Sequence, residues 1–191
     1  MPSFTNIPSF LTKHPRVLAA LGGTLWVTFH LYYIYSGISY LEIGASILVA
    51  GLCVLFMMLA VYSMIAGPHL GAAGKTGAWV LLVGMGLVTL GIFMTGLNIW
   101  SGAWFLAIGG EGLSAIGLVA FGLGALADGP QVLWKWLLLF LAPVYFLSFS
   151  TTSASYPTWA PEYTPEWFAV AYGLGWALLG LLLPRSRSAT K

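Results

Sequence analysis

The stretch "GAWVLLVGMGLVTLGIFMTGLNIWSGAWFLAIGGEGLSAIGLVAFGLGALA", residues 77–127, contains two long apolar runs separated by a short polar break. Its one charged residue is Glu111. A helix of about 20 apolar residues is long enough to cross the hydrocarbon core of a bilayer. The stretch therefore predicts two consecutive membrane-spanning helices.

The rest of the chain repeats this pattern. Of its 191 residues, 59% are hydrophobic and 6% are charged, whereas an ordinary soluble domain is about a quarter charged. The apolar runs are continuous rather than alternating, which favours helices over the strands of a membrane barrel. We predict an all-α, polytopic membrane protein, a six-transmembrane-helix bundle that forms one integral membrane domain over residues 1–191. The predicted spans are 17–38, 43–66, 77–100, 102–127, 131–149 and 167–183.

The basic residues indicate how such a bundle is oriented. With six crossings, all seven fall on one side: Lys13, Arg16, Lys75, Lys135, Arg185, Arg187 and Lys191. Lysine and arginine concentrate in cytoplasmic loops. We therefore expect a multi-pass protein of the cell membrane with both its N- and C-termini in the cytoplasm. The connection "AGPHLGAAGKTG", residues 66–77, is expected to be a flexible cytoplasmic loop.

Glycine recurs at every seventh position in the third and fourth spans. Because seven residues make nearly two helical turns, each set forms a smooth stripe on one face, where two backbones can approach closely. We therefore predict that the two helices pack as a tight antiparallel pair. The positions are Gly77, Gly84 and Gly91 in the third span, and Gly110, Gly117 and Gly124 in the fourth.

Glu111 and His30 are the two ionisable residues predicted to lie deep in the hydrocarbon layer. A charge there costs about 3 kcal/mol, so such a residue faces the bundle interior, a wet cavity or a partner, or it is held in its neutral form. At 1.5 Å per residue, Glu111 lies about 14 Å and His30 about 12 Å below the same outer boundary. We predict an outward-facing polar pocket at this depth. Its predicted ligand- or proton-binding residues are Glu111, His30, Tyr33, Thr95, Asn98 and Tyr172.

Known catalytic and metal-binding patterns are missing from the sequence. His14, His30 and His69 are predicted at three separate places, so they cannot share one zinc ion. There is no nucleophile elbow, phosphate loop, cysteine pair or basic patch. We therefore expect no catalytic or metal site and no nucleic-acid partner, and the sequence identifies no cofactor.

Two functions agree with this description. The first is a small integral membrane transporter or channel-like protein whose pocket handles a proton, a cation or a small polar solute. The alternative is a non-catalytic structural or accessory subunit of a larger membrane complex, which binds lipid, quinone or pigment. The expected partners are the lipid bilayer and either other membrane subunits or further copies in a homo-oligomer. A membrane enzyme is disfavoured by the few His, Asp and Glu residues, and the matching depths of Glu111 and His30 favour the first function.

Overall fold

The described part of the chain folds into six α-helices. A computed structural model describes residues 14–36, 44–68, 70–97, 99, 101–149 and 164–184. The helices are α1 (Pro15–Ser36), α2 (Gly44–Ala66), α3 (Ala72–Gly96), α4 (Trp104–Ala127), α5 (Leu133–Phe149) and α6 (Thr164–Leu182). A 3-10 helix at Ser101–Ala103 precedes α4, and the described residues contain no strand. The predicted all-α fold with six helices is confirmed.

The length and composition of the helices are those of a membrane protein. Four are long and apolar enough to cross a bilayer, over Pro15–Ser36, Val49–Ala66, Ala72–Met94 and Phe105–Ala127. The helices α5 and α6 are shorter but also apolar. Large hydrophobic side chains are exposed on the outer surface, among them Phe105, Leu133 and Phe140. A lipid environment accommodates such a surface, whereas water does not.

The six helices form a closed ring in chain order. Each helix packs against the next one, and α6 packs against α1. The starts of α1, α3 and α5 and the ends of α2, α4 and α6 lie at one end of the ring, which we call the basic end because Arg16, Lys75 and Lys135 are there. The other end is called the opposite end. Which end faces the cytoplasm stays a prediction. Every helix contributes to the apolar core that fills the ring, with Trp26, Met57, Leu81, Leu118, Leu138 and Trp176 as examples.

The helices α3 and α4 pack with their backbones in direct contact. A Cβ atom added to Gly84 would lie 2.5 Å from Ser114 N, and one added to Gly91 would lie 2.5 Å from Ala107 N. A seven-residue step forward along α3 is therefore matched by a seven-residue step back along α4. The predicted antiparallel glycine pair is confirmed.

A second close backbone contact joins α1 to α6. A Cβ atom added to Gly180 would lie 2.6 Å from Ala20 N, and one added to Gly173 would lie 2.9 Å from Gly23 O. Gly173 and Gly180 are also seven residues apart, but no contact between the first and the last span was predicted from this spacing. It closes the ring between the first and the last helix.

The start of α3 differs from the prediction. The Asp128 carboxylate, at the end of α4, accepts hydrogen bonds from Gly71 N at 2.8 Å and Gly74 N at 3.1 Å. It accepts hydrogen bonds from backbone N–H groups that have no partner within the helix, and its negative charge interacts favourably with the positive end of the helix dipole. Because this cap lets the helix begin at Ala72, the prediction of a flexible loop over 66–77 is wrong for residues 72–77.

The start of α6 also lies earlier than predicted, at Thr164 instead of residue 167. Pro165 is compatible with the first turn, where its missing N–H group would have no partner in the helix. Glu166 places a negative charge in the same turn, where the helix dipole favours it. Pro165 therefore does not delay the start of the helix.

A side chain from the first helix caps the last one at the basic end. Arg16 Nε donates a hydrogen bond to Gly180 O at 3.1 Å, and Arg16 Nη2 donates one to Leu181 O at 2.7 Å. The last carbonyl groups of a helix have no partner within it and attract a cation. Arg16 therefore joins the start of α1 to the end of α6.

Replacing Asp128 with alanine is expected to lower the free energy of unfolding by about 1–2 kcal/mol, the usual cost of losing a helix cap. An asparagine at this position would keep one acceptor oxygen, so Asp128→Asn should lose less. Unfolding in detergent micelles measures both changes, and hydrogen exchange at the first turn of α3 locates them. An alanine variant as stable as the wild type, with unchanged exchange at that turn, would contradict the proposed cap.

Candidate functional site

A cluster of buried polar and aromatic side chains lies where α4, α5 and α6 meet. It consists of Ser114 from α4, Tyr145 from α5, and Tyr172 and Trp176 from α6, and none of the four is more than 4% exposed. The ring centroids of Tyr145 and Tyr172 are 4.9 Å apart, and those of Tyr172 and Trp176 are 6.2 Å apart. We call these four residues the buried polar cluster.

Local sequence explains the positions of three of these side chains, one on α4 and two on α6. Ser114 can lie between α4 and α3 because Gly84 faces it, where an added Cβ atom would be 2.5 Å from Ser114 Oγ. Tyr172 and Trp176 are four residues apart, so both project from one face of α6. Any larger residue at position 84 would push Ser114 out of its place.

Three polar atoms in the cluster have no hydrogen-bond partner: Ser114 Oγ, Tyr172 Oη and Trp176 Nε1. The Tyr145 phenol approaches the Ser114 hydroxyl, and the Tyr172 phenol approaches the Trp176 indole. Neither approach has the geometry of a complete hydrogen bond, so the three atoms remain unsatisfied. An unsatisfied buried polar group costs about 1–3 kcal/mol, and such groups usually bind protein or water. The cluster is therefore suited to bind a small polar species.

Glu111 borders the cluster on α4. It lies three residues before Ser114 on the same helix face, and it is partly buried. Its carboxyl group is close enough to Tyr145 to interact with it electrostatically, as is the phenol of Tyr172. On the other side of Glu111, Cβ atoms added to Gly109 and Gly112 would have nothing within 4 Å. The carboxyl group thus lies between the buried cluster and open space beside α4.

A layer of fully buried leucines separates the cluster from the basic end. Leu118, Leu141 and Leu179 are each 0% exposed. They come from α4, α5 and α6, and each lies about one turn nearer the basic end than the nearest cluster residue of its own helix. The layer places apolar side chains, which do not hold water, between the cluster and the basic end.

His30 lies in a separate aromatic environment on α1. It is 3% exposed, its ring centroid is 4.7 Å from that of Trp26, and it is 5.4 Å from that of Phe29. The helix α1 packs along α2 and α6, whereas α4 packs along α3 and α5. His30 and Glu111 thus come from helices at opposite positions in the ring, and their meeting at one site stays a prediction.

The structure places the other predicted site residues in different surroundings. Tyr172 belongs to the buried polar cluster, and Tyr145 connects it to Glu111. Tyr33 is partly buried, about one turn after His30 on α1. Thr95 lies near the end of α3, but its side chain is outside the described part of the structure, and Asn98 lies wholly outside it. The binding roles of all of these residues remain predictions.

The predicted binding set omitted Ser114, Tyr145 and Trp176. The sequence spacing indicated two of them, because Ser114 follows the predicted site residue Glu111 by three residues and Trp176 follows the predicted site residue Tyr172 by four. Residues at these spacings share a helix face. Tyr145 is on a different helix from both pairs, and its position depends on how α5 is rotated in the ring.

No protein-family model, curated protein or solved structure matches this chain.

Proposed function

We propose that the protein is a small integral membrane transporter or channel-like protein in which Glu111 and the buried polar cluster bind a proton, a cation or a small polar solute. The observation that carries the proposal is the set of three unsatisfied buried atoms, Ser114 Oγ, Tyr172 Oη and Trp176 Nε1. They lie beside a carboxyl group in the first half of an apolar helix.

The free-energy cost of these polar groups favours a binding role for the cluster over a purely structural one. Each unsatisfied atom costs about 1–3 kcal/mol, and a carboxyl group in the hydrocarbon layer adds a further cost of a few kcal/mol. Apolar residues of similar size would fill the same space without these costs. Polar groups converging in an otherwise apolar interior are typical of binding sites.

The position of the cluster favours transport over an accessory role. Its side chains face the ring interior rather than the lipid, so they do not form a surface on which a pigment or a neighbouring subunit could rest. The leucine layer of Leu118, Leu141 and Leu179 closes the cluster toward the basic end. A site that is closed on one side suits a protein that exposes it alternately to the two membrane faces.

Purification in a mild detergent followed by reconstitution into vesicles tests the proposal. We expect flux of at least one species from a panel of protons, Na⁺, K⁺ and glycerol, above the flux of empty vesicles. The same preparation is analysed for co-purifying chains and for visible absorbance. A stoichiometric partner or a bound pigment, together with no flux of any probe, would instead support the accessory-subunit alternative.

A further inference from the structure

We infer that the species bound at Glu111 and the buried polar cluster is a proton held with bound water, rather than a metal cation or an organic solute. This inference rests on the proposed function, because it names the species that the same site handles.

The cluster has little space for an organic solute. The Tyr145 and Tyr172 rings are in contact, with 4.9 Å between their centroids. Ser114 is 0% exposed and lies against Gly84. A sugar, an amino acid or even glycerol would have to displace these rings, whereas a water molecule can fit between polar atoms in a closely packed interior.

The polar atoms of the cluster match water better than a metal cation. Ions such as Mg²⁺ and Ca²⁺ take six or more oxygen ligands, whereas the hydroxyl groups of Ser114, Tyr145 and Tyr172 and the Glu111 carboxylate together supply at most about five. Trp176 Nε1 is a donor only, so its hydrogen would face a cation and repel it. Water accepts hydrogen bonds from an indole N–H or a phenol O–H and donates to a hydroxyl or carboxylate oxygen, so it can satisfy all three unsatisfied atoms.

Few other titratable groups face Glu111. Tyr145 interacts with it from α5, and Tyr172 lies beyond Tyr145 on α6. From α3, the contact with α4 is made by Gly84, Leu81 and Val88, which carry no titratable group. Glu111 therefore supplies the carboxyl group that can gain and lose a proton in this part of the described structure.

The proton steps conserve charge and atoms. A hydronium ion arriving from the opposite end transfers a proton to a Glu111 carboxylate oxygen, which leaves a water molecule and a neutral acid. The reverse transfer, to water in the cluster, forms hydronium again and restores the carboxylate. Because the leucine layer interrupts the water path, release toward the basic end requires α4, α5 and α6 to shift relative to one another.

A flux assay separates this inference from the proposed function. Vesicles holding a pH-sensitive dye are driven by a K⁺ gradient with valinomycin, and Na⁺ and glycerol uptake are measured in parallel for the wild type and for Glu111→Gln. We expect proton flux that depends on Glu111 and no Glu111-dependent uptake of Na⁺ or glycerol. Glu111-dependent uptake of Na⁺ or glycerol without proton flux overturns this inference and leaves the proposed function standing. No flux of any probe overturns both.

Two conservative variants test the bound water itself. Tyr172→Phe and Ser114→Ala each remove one hydroxyl group, and we expect each to lower proton flux by about tenfold, less than the loss of the titrating group itself. The matched control is Ser63→Ala, because Ser63 is buried on α2 and its hydroxyl donates to Leu59 O at 2.8 Å. Unchanged proton flux in both cluster variants overturns the inference.

The melting temperature of Tyr172→Phe gives a readout that is independent of flux. If water satisfies the phenol, removing the hydroxyl breaks a hydrogen bond, so the Tm falls. If the cluster is dry, the change removes an unsatisfied buried group, so the Tm rises. We expect the Tm to fall, and a rise overturns the inference.

Discussion

Replacing Gly117 with leucine is expected to separate α3 from α4 and to destabilise the protein by about 3 kcal/mol or more, at the upper end of the cost of overpacking a core. A Cβ atom added to Gly117 would lie 2.5 Å from Leu81 Cα. The obstacle is backbone, which cannot rotate away as the end of a side chain can. The smaller change Gly117→Ala should destabilise less but in the same direction. Unfolding in mixed micelles by a denaturing detergent measures both.

Gly109 supplies the matched control on the same helix. A Cβ atom added there would have nothing within 4 Å, so Gly109→Ala meets no steric obstacle. It also improves the helix propensity of that position by up to about 1 kcal/mol. The same chemical change is therefore expected to have opposite signs at positions 117 and 109. Equal destabilisation at both would mean that α4 is rotated differently about its axis.

Glu111→Gln is expected to reduce transport by about 10²-fold, the lower end of what a positioned proton-transfer group contributes. Glutamine preserves the size of the side chain and its ability to form hydrogen bonds, but it carries no charge and has no ionisable group. The free energy of unfolding of the variant should stay close to that of the wild type. Initial rates in vesicles, divided by the amount of protein incorporated, measure the effect.

Glu166→Gln is the control for the loss of a carboxylate. Glu166 lies in the first turn of α6, outside the buried polar cluster, and its interaction with the helix dipole is worth up to about 1 kcal/mol. Transport by this variant should match the wild type. Full transport by Glu111→Gln would show that Glu111 is not part of the transport site. An equal loss of transport in both variants would indicate that removing any carboxylate impairs the protein.

The sequence predicted the helices well because the cost of burying charge in lipid determines where apolar runs must continue. It predicted the α3–α4 pair because the glycine period of seven nearly matches two turns. It did not predict that α3 begins at Ala72, since the cap comes from Asp128, far along the chain. The contacts of Arg16 with the end of α6 depend in the same way on the closed ring.

The sequence predicted how far along its helix each site residue lies, but not which helices face one another at the site. The rise per residue places Glu111 and Tyr172 along their helices, and spacing pairs Glu111 with Ser114. Which helices face one another is decided by packing of whole surfaces, and the ring brings α3 and α5, rather than α1, beside α4. Tyr145 is therefore the neighbour of Glu111 that sequence spacing could not identify.

The matched glycine contacts of α3 and α4 also restrict how the length of these helices can change during evolution. One inserted residue would turn the remainder of a helix by about 100°, which would carry every later glycine away from its partner. Insertion of seven residues would nearly restore the alignment. We therefore expect natural variants to show substitutions within these two helices, and gains or losses of residues in the connections that flank them.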